Sequence, residues 1–349
     1  MKSMILENEM IKRLALGFRR SPRQLNQVNE SDAEILRLGS SEMMLALTTD
    51  SIVEEIASGL YEDPWLIGWM AAMVNFSDLA AVGAAPLGLL VAETLPPDVP
   101  EEFLRKVQSG MEDACRSCGS YVLGGDTNTG RLLEVTGTAV GIIEGTRILS
   151  RKGCHPDDRL YCSGLLGSGN GFAISRFVTP GVRYPYSPTA RLREGQVVRE
   201  FASACMDTSD GVLATLDQLM RVNGLGFRLD NRWHAALDGA AVGLTSQAQL
   251  PAWLLLAGQH GEFELLFTVP PQHEEELLRR AANADWNPRR LGTVISAPEI
   301  NLEISGRTAT IDTARIRNAA FTAQGHVSEY ITELLNIDRE LQEGSGHHG

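Results

Sequence analysis

Met43-Met44-Leu45-Ala46-Leu47-Thr48-Thr49-Asp50 is an apolar run that gives way to two threonines and a carboxylate. Its length and composition read as a strand that delivers Asp50 at its end. The same arrangement recurs along the chain, at Asp78 (Asn75-Phe76-Ser77-Asp78), at Asp126 (Gly124-Gly125-Asp126-Thr127), and at Asp207 and Asp210 (Asp207-Thr208-Ser209-Asp210-Gly211). Asp32, in Ser31-Asp32-Ala33-Glu34-Ile35-Leu36, is a sixth, and Asp158, ahead of Leu160-Tyr161-Cys162, is the weakest. Carboxylates flanked by Gly, Ser and Thr are poor core material and suit hard cations that bridge to phosphate oxygens. Taken together they imply several Mg2+ ions and a polyphosphate.

Outward from this stretch, strand-like and helix-like segments alternate along the whole chain, the pattern of an α/β or α+β protein. Asp63-Pro64 starts a helix, with Asp as N-cap and Pro in the first helical position. A strand follows over 87–92, then a helix from a capping pair at Asp98 and Glu101 to about Cys118. Residues 121–123 read as a strand ending in Gly124-Gly125-Asp126, and 132–143 as a long strand. Turn-forming Arg151-Lys152-Gly153 and His155-Pro156-Asp157-Asp158 place a domain boundary near residue 148. The expectation is an N-terminal domain over 1–148, a C-terminal domain over 149–335 and a tail over 336–349. The second half repeats the alternation. A strand at 159–162 leads into Gly-rich 164–171 and a helix. Leu213, Leu216, Leu219 and Met220 form a helix face closed by Gly224. Strands at 264–269, 290–295 and 301–304 precede a last helix over about 327–341.

The totals narrow the function. A chain of 349 residues exceeds the size at which one core stops growing, so two domains are expected. With 31 Lys and Arg against 44 Asp and Glu, the net charge of −13 argues against a nucleic-acid partner. The longest apolar run, 65–74, is too short to span a bilayer and reads as a buried helix, so no membrane partner is expected. The N-terminus lacks the apolar segment of a signal peptide, which makes the cytoplasm the expected compartment. Cys115 and Cys118 form a CxxC, but they share one helical face with Phe103, Leu104, Val107, Met111 and Ala114. With no second CxxC, they read as buried small hydrophobes rather than zinc ligands.

Single aspartates also serve as helix caps and turn residues, and Asp210 and Asp78 are both placed to do so. Gly164–Gly171 lies between a strand and a helix, so its amides either cradle phosphate or form a packing turn. It matches neither GxGxxG nor GxxxxGK[ST], so phosphate chemistry here is expected to run through metal ions.

The ordered set Thr-Thr-Asp, Asn-x-Ser-Asp, Gly-Gly-Asp-Thr and Asp-x-Ser-Asp-Gly resembles the superfamily of aminoimidazole ribonucleotide synthetase, selenophosphate synthetase, the hydrogenase maturation dehydratase and thiamine-monophosphate kinase. The kinases match best. Their Gly-Asp-Asp-Ala is here Glu30-Ser31-Asp32-Ala33, and Thr48-Thr49-Asp50, Asn75 to Ala81 and Ala84-Ala85-Pro86-Leu87 follow in order. Gly124 to Thr127, Arg151-Lys152-Gly153 with Pro156-Asp157-Asp158, Asp207 to Gly211 and Glu264 to Pro270 complete the series, over about residues 28 to 330.

The resemblance implies a homodimer whose N-terminal domains close a β-barrel across the two-fold, with ATP and several Mg2+ between the domains. By match, Asp32, Thr48, Thr49, Asp50, Asp78, Asp126, Asp207 and Asp210 would hold Mg2+, and Gly125, Asp126, Arg151 and Ser209 would touch ATP. Asp50, Asp78, Asp126 and Asp210 would carry the catalysis. Three departures stand out. Ser31 replaces the first Asp of the pair. The kinases' His-Phe after Thr-Thr-Asp is Ala57-Ser58, and their Gly-Gly-Glu-Asp-Tyr is Gln259-His260-Gly261-Glu262-Phe263. The ATP half is retained and the acceptor half rewritten, which points to a phosphotransferase acting on another acceptor, with His260, Glu262 and Glu264 as its substrate residues. A synthetase that phosphorylates an amide or carbonyl oxygen is the alternative, and a non-catalytic nucleotide-binding dimer a further one.

Overall fold

The first sheet is built around the run at 43–50. β1 (Glu34–Arg37) and β2 (Met44–Ser51) pair antiparallel. β3 (Ala85–Leu95), β4 (Val122–Thr129) and β5 (Glu134–Ile143) complete five strands in the order β1-β2-β5-β3-β4, with only β3 and β4 parallel. This is a computed structural model and describes residues 4–39, 42–304, 306–323 and 327–343. The final residues 344–349 of the expected tail lie outside that range. Residues 336–343 of the tail belong to a helix, Val327–Glu343, which buries Leu334 and Ile337.

One face of the sheet is covered by helix Pro64–Ala81 (α3, after the short α1, Leu6–Ala15, and α2, Val53–Ala57), and α4 (Glu101–Ser117) packs on α3. Asp63 caps α3 by accepting from Trp65 N at 3.0 Å, as its sequence predicts. α3 is apolar all round because it has neighbours all round: α4, the first sheet, and the second half of the chain. α3 and α4 touch through two glycines. A Cβ on Gly68 would lie 1.8 Å from the Val107 carbonyl oxygen, and one on Gly110 would lie 1.9 Å from that of Trp65. Cys115 is fully buried on the α4 face, as a small hydrophobe.

The other face of the sheet is open. β4 is exposed along its whole length, and Leu87, Leu90, Tyr121, Val122, Leu123 and Leu132 are all large apolar side chains left exposed nearby. One chain therefore carries an open sheet, not a closed barrel. The expected strand at 121–123 also runs on through Gly124-Gly125-Asp126-Thr127, because parallel pairing with 90–95 satisfies that backbone despite the glycines. Asp126 consequently stands in mid-strand rather than at a strand end.

The second sheet has seven strands: β6 (Arg159–Cys162), β7 (Ala204–Asp207), β8 (Gly226–Leu229), β9 (Leu265–Val269), β10 (Arg289–Ile295), β11 (Ile300–Ile304) and β12 (Arg307–Thr310). Their order is β12-β11-β8-β10-β6-β9-β7. α5 (Ser168–Phe177), α6 (Leu192–Phe201) and α7 (Val212–Asn223) follow β6 and β7 in the chain. The two halves share a core: Leu149, Tyr161, Cys205, Leu265 and Phe267 are packed in one cluster with Met70, Met73 and Phe76 of α3. α6 approaches α3 so closely that a Cβ on Gly195 would lie 2.1 Å from the Ala80 carbonyl oxygen. This junction brings the end of α3 against the end of β7, and the acids meet there.

Candidate active site

Asp32, Asp78 and Asp207 each place a carboxylate oxygen within 4.8 Å of the others. They arrive from three elements: the segment before β1, the last turn of α3, and the end of β7. Each is held by a neighbour from its own motif or from another. Ser77 Oγ donates to Asp207 Oδ2 at 2.6 Å, Ser209 Oγ donates to Asp207 Oδ1 at 3.0 Å, and Thr48 Oγ1 donates to Asp78. Arg151 Nη2 donates to Asp32 Oδ1 at 2.8 Å. The Arg151 carbonyl accepts from Asn223 Nδ2 (2.8 Å), and Asn223 Oδ1 accepts from Gly153 N (2.8 Å), so the end of α7 clamps the arginine's loop.

Asn75 explains the first position of its motif. It packs against Gly137, where a Cβ would lie 2.3 Å from Asn75 Nδ2. Its Oδ1 accepts from Asp50 N at 3.0 Å while its Nδ2 donates to the Ala71 carbonyl at 3.0 Å, which fixes the end of β2 to α3. The last motif is locked in a comparable way. Thr208 N donates to the Glu264 carbonyl (2.8 Å), Glu264 N donates to Thr208 Oγ1 (3.1 Å), and Gly261 N donates to the Ser209 carbonyl (2.9 Å).

The electrostatics are those of buried acids held close to one another. Burial, then Asp32, pushes the Asp207 carboxyl up to about 7. Burial, then Asp50 and Asp207, drives Asp78 well above the usual carboxylate range. Asp50 and Asp210 keep contact with solvent, but they sit deep in a recess. That enclosure, with Asp210 beside Asp50 and Glu7 beside Asp210, lifts both to about 6. Burial works against the Arg151 charge, but Asp32 outweighs it and keeps the guanidinium protonated. Asp32 Oδ2 is buried with no hydrogen-bond partner among the described residues, and so is Ser31 Oγ. Hard oxygen donors at this spacing, one of them orphaned, fit a divalent cation such as Mg2+.

A cavity of about 730 Å³ opens over the cluster. Its lining takes in Asp32, Thr48, Thr49, Asp50, Asp78, Arg151, Ser209 and Asp210, that is, all but three of the residues expected to bind metal or nucleotide. Asp207 lies beneath, bonded to Ser209. Gly125 and Asp126 stand apart. Along one row of the sheet Ser51 faces Thr136, Thr136 faces Ala92, and Ala92 faces Asp126. Three strand spacings of about 4.8 Å put Asp126 about 14 Å from β2. One Mg2+ holds two ligand oxygens only about 4 Å apart, so within one chain Asp126 and Asp50 cannot share an ion.

The expected substrate residues divide. His260 lines the cavity, buried among Tyr61, Phe172 and Tyr186, and its Nε2 lies 3.2 Å from Tyr61 Oη. Burial holds its pKa down to about 3, so it is a neutral imidazole. Glu262 faces away from the lining and accepts from Gly167 N at 2.7 Å, with burial pushing its carboxyl up to about 8. It thus takes the amide at the start of α5 that a phosphate would need. The Gly164–Gly171 segment is a packing turn: a Cβ on Gly169 would lie 2.0 Å from the Gly261 carbonyl oxygen. Glu264 is buried and engaged by Arg191 and Ser163. Asp158 is a turn carboxylate, accepting from His155 N and Ser203 Oγ. Two residues of the lining, Glu55 and Tyr61, belong to none of the motifs read from the sequence.

The family model for the AIR synthase related protein, N-terminal domain, matches residues 30–143. The thiamine-monophosphate kinase of Escherichia coli K12 is 31% identical over 236 residues, covering 65% of this chain and 71% of that protein. Among solved structures, AaThiL complexed with AMPPCP and TMP superposes with a TM-score of 0.72 at 21% identity, covering 88% of this chain and 99% of that one. E. coli HypE, a hydrogenase maturation protein, superposes with a TM-score of 0.66 at 21% identity, covering 87% and 96%. At such identities the two structures speak for the fold alone.

Proposed function

The chain belongs to the thiamine-monophosphate kinase family, and from that premise we propose that it is an ATP- and Mg2+-dependent phosphotransferase acting on a small-molecule acceptor. The observation that carries the proposal is the meeting of Asp32, Asp78 and Asp207 on the floor of a cavity large enough for a nucleotide. Asp32, Asp78 and Asp207, with Asp50, Asp210, Thr48 and Thr49 around them, are the residues that would hold Mg2+. The bound ions would neutralise phosphate charge. Arg151, clamped by Asn223 and paired with Asp32, presents a fixed cation to the same cavity, and Ser209 presents a hydroxyl. Asn75 holds the Asp50 backbone so that its carboxylate enters the recess in one orientation.

Gly125 and Asp126 are read as serving the site of a second copy, because they stand about three strands from Asp50 in their own chain. The open apolar face around β4, with Tyr121 70% and Leu132 62% exposed, supports a homodimer closed across that face. The acceptor is read as differing from thiamine monophosphate, since Ala57-Ser58 stands in place of His-Phe and the loop 259–263 is rewritten. Among the described residues no helix is long and apolar enough to cross a membrane.

Purified protein with ATP and Mg2+ and a panel of phosphorylated and hydroxyl-bearing metabolites tests this reading. ADP release with a stably phosphorylated product is expected. ADP with stoichiometric free phosphate would identify a synthetase instead, and efficient formation of thiamine diphosphate would overturn the reading of the acceptor.

A further inference from the structure

Glu55 is a carboxylate on the cavity wall that its own amide answers in part and no other side chain among the described residues answers. Its Oε2 is buried without a hydrogen-bond partner among the described residues. The charged groups acting on it are Glu54, Asp210 and Asp50, all of its own sign. Tyr61, which lines the same cavity, is already committed: its amide donates to the Glu55 main-chain carbonyl at 3.1 Å, and its hydroxyl lies 3.2 Å from His260 Nε2. His260 is neutral, so it supplies no cation either. A buried carboxylate oxygen without a donor is costly, and it persists where a ligand supplies the missing partner. The rings of Tyr61 and Phe263 line the same cavity, and aromatic faces attract cations. Phe263 is held at φ 59°, in the left-handed region that bulky residues avoid, the kind of local strain found at ligand-binding loops.

We propose that Glu55 is the specificity-determining residue of the acceptor subsite and that it receives a protonated N–H group, an ammonium or amidinium, of the acceptor. The inference rests on the phosphotransferase reading for the word acceptor, but the subsite itself needs no nucleotide. A thiazolium ring carries no N–H on its cationic nitrogen, so a thiamine phosphate could make this contact only through its aminopyrimidine. Glu55 is not one of the residues matched to metal-holding positions, although Asp210 and Asp50 of that set act on it. Its role is to orient the acceptor, with Tyr61 and Phe263 providing the flanking faces.

The test uses two shape-matched probes, benzylamine and benzyl alcohol, titrated by calorimetry into the full chain with and without AMPPCP and Mg2+. Benzylamine is expected to bind at least about tenfold more tightly than benzyl alcohol in both conditions. Glu55→Gln, which keeps the shape and removes the charge, should bring the two within about threefold. Glu54→Gln, on the exposed neighbour, should keep the wild-type ratio. Equal binding of the probes, binding of neither, or an undiminished ratio in Glu55→Gln would overturn the proposal. So would a Glu55→Gln variant whose main loss is AMPPCP and Mg2+ affinity, since that would make Glu55 a metal ligand. Loss of nucleotide binding by the wild type with the amine preference intact would sink the phosphotransferase reading alone.

Discussion

Asp207→Asn should stabilise the metal-free protein at alkaline pH while destroying its nucleotide site. Asp207 is 1% exposed, and its folded-state pKa of about 7 stands above the value of 3.8 expected of an unfolded chain. A raised acid binds its proton more tightly in the folded state. Stability is therefore fully present below pH 3.8, falls as pH rises, and levels off above about 7. At about 1.4 kcal/mol per pH unit, a window of about three units sets a ceiling of about 4 kcal/mol. Relaxation and the mutual influence of Asp78 and Asp207 reduce this to about 2 kcal/mol. Asparagine removes that penalty but keeps an acceptor for one of Ser77 and Ser209, a loss of about 1 kcal/mol. The net expectation is a gain of about 1 kcal/mol at pH 8 in EDTA, read as a rise of about 1–3 °C in the melting temperature. At pH 4.5, where wild-type Asp207 is already protonated, the gain should vanish. Mg2+ with AMPPCP should stabilise the wild type and leave the variant unmoved. A variant less stable than wild type at pH 8 in EDTA, or a wild-type stability flat between pH 5 and 8, would refute the claim that these acids are held against their charge.

Asn75→Ala removes the acceptor for Asp50 N and should cost about 1–3 kcal/mol in urea denaturation, with weaker AMPPCP binding as well. Gly68→Ala, whose Cβ would meet the Val107 carbonyl oxygen at 1.8 Å, should force α3 from α4 and cost at least about 1–3 kcal/mol, measured the same way. His260 should show no NMR titration between pH 5 and 8, and His260→Ala should lower acceptor turnover more than nucleotide affinity. Light scattering at micromolar concentration should report a dimer, and replacing Tyr121 and Leu123 with Lys should give a monomer.

Much of the site was legible because its motifs combine acid, small residue and element end in one local pattern. The strand of 43–50, the capped start at Asp63-Pro64, and the loop of Asp207 to Gly211 behave as that pattern dictates. Cys115 follows its helical face into the core. What was not legible depends on distant partners. Asp126 looks like a strand-end acid, yet the parallel neighbour carries its strand past the glycines. Glu262 resembles a substrate carboxylate in sequence, and only the fold shows that the start of α5 comes to meet it. Glu55 sits in an unremarkable Glu-Glu pair, and its isolation comes from the rings and acids that the fold places around it.

The central claim is that Asp32, Asp78 and Asp207 form the metal-dependent nucleotide site. Titration calorimetry of AMPPCP with Mg2+ into wild type and Asp78→Asn tests it most directly. The wild type should bind, EDTA should abolish that binding, and the folded variant should not bind. Equal affinity in the two proteins, or wild-type binding unaffected by EDTA, would contradict it.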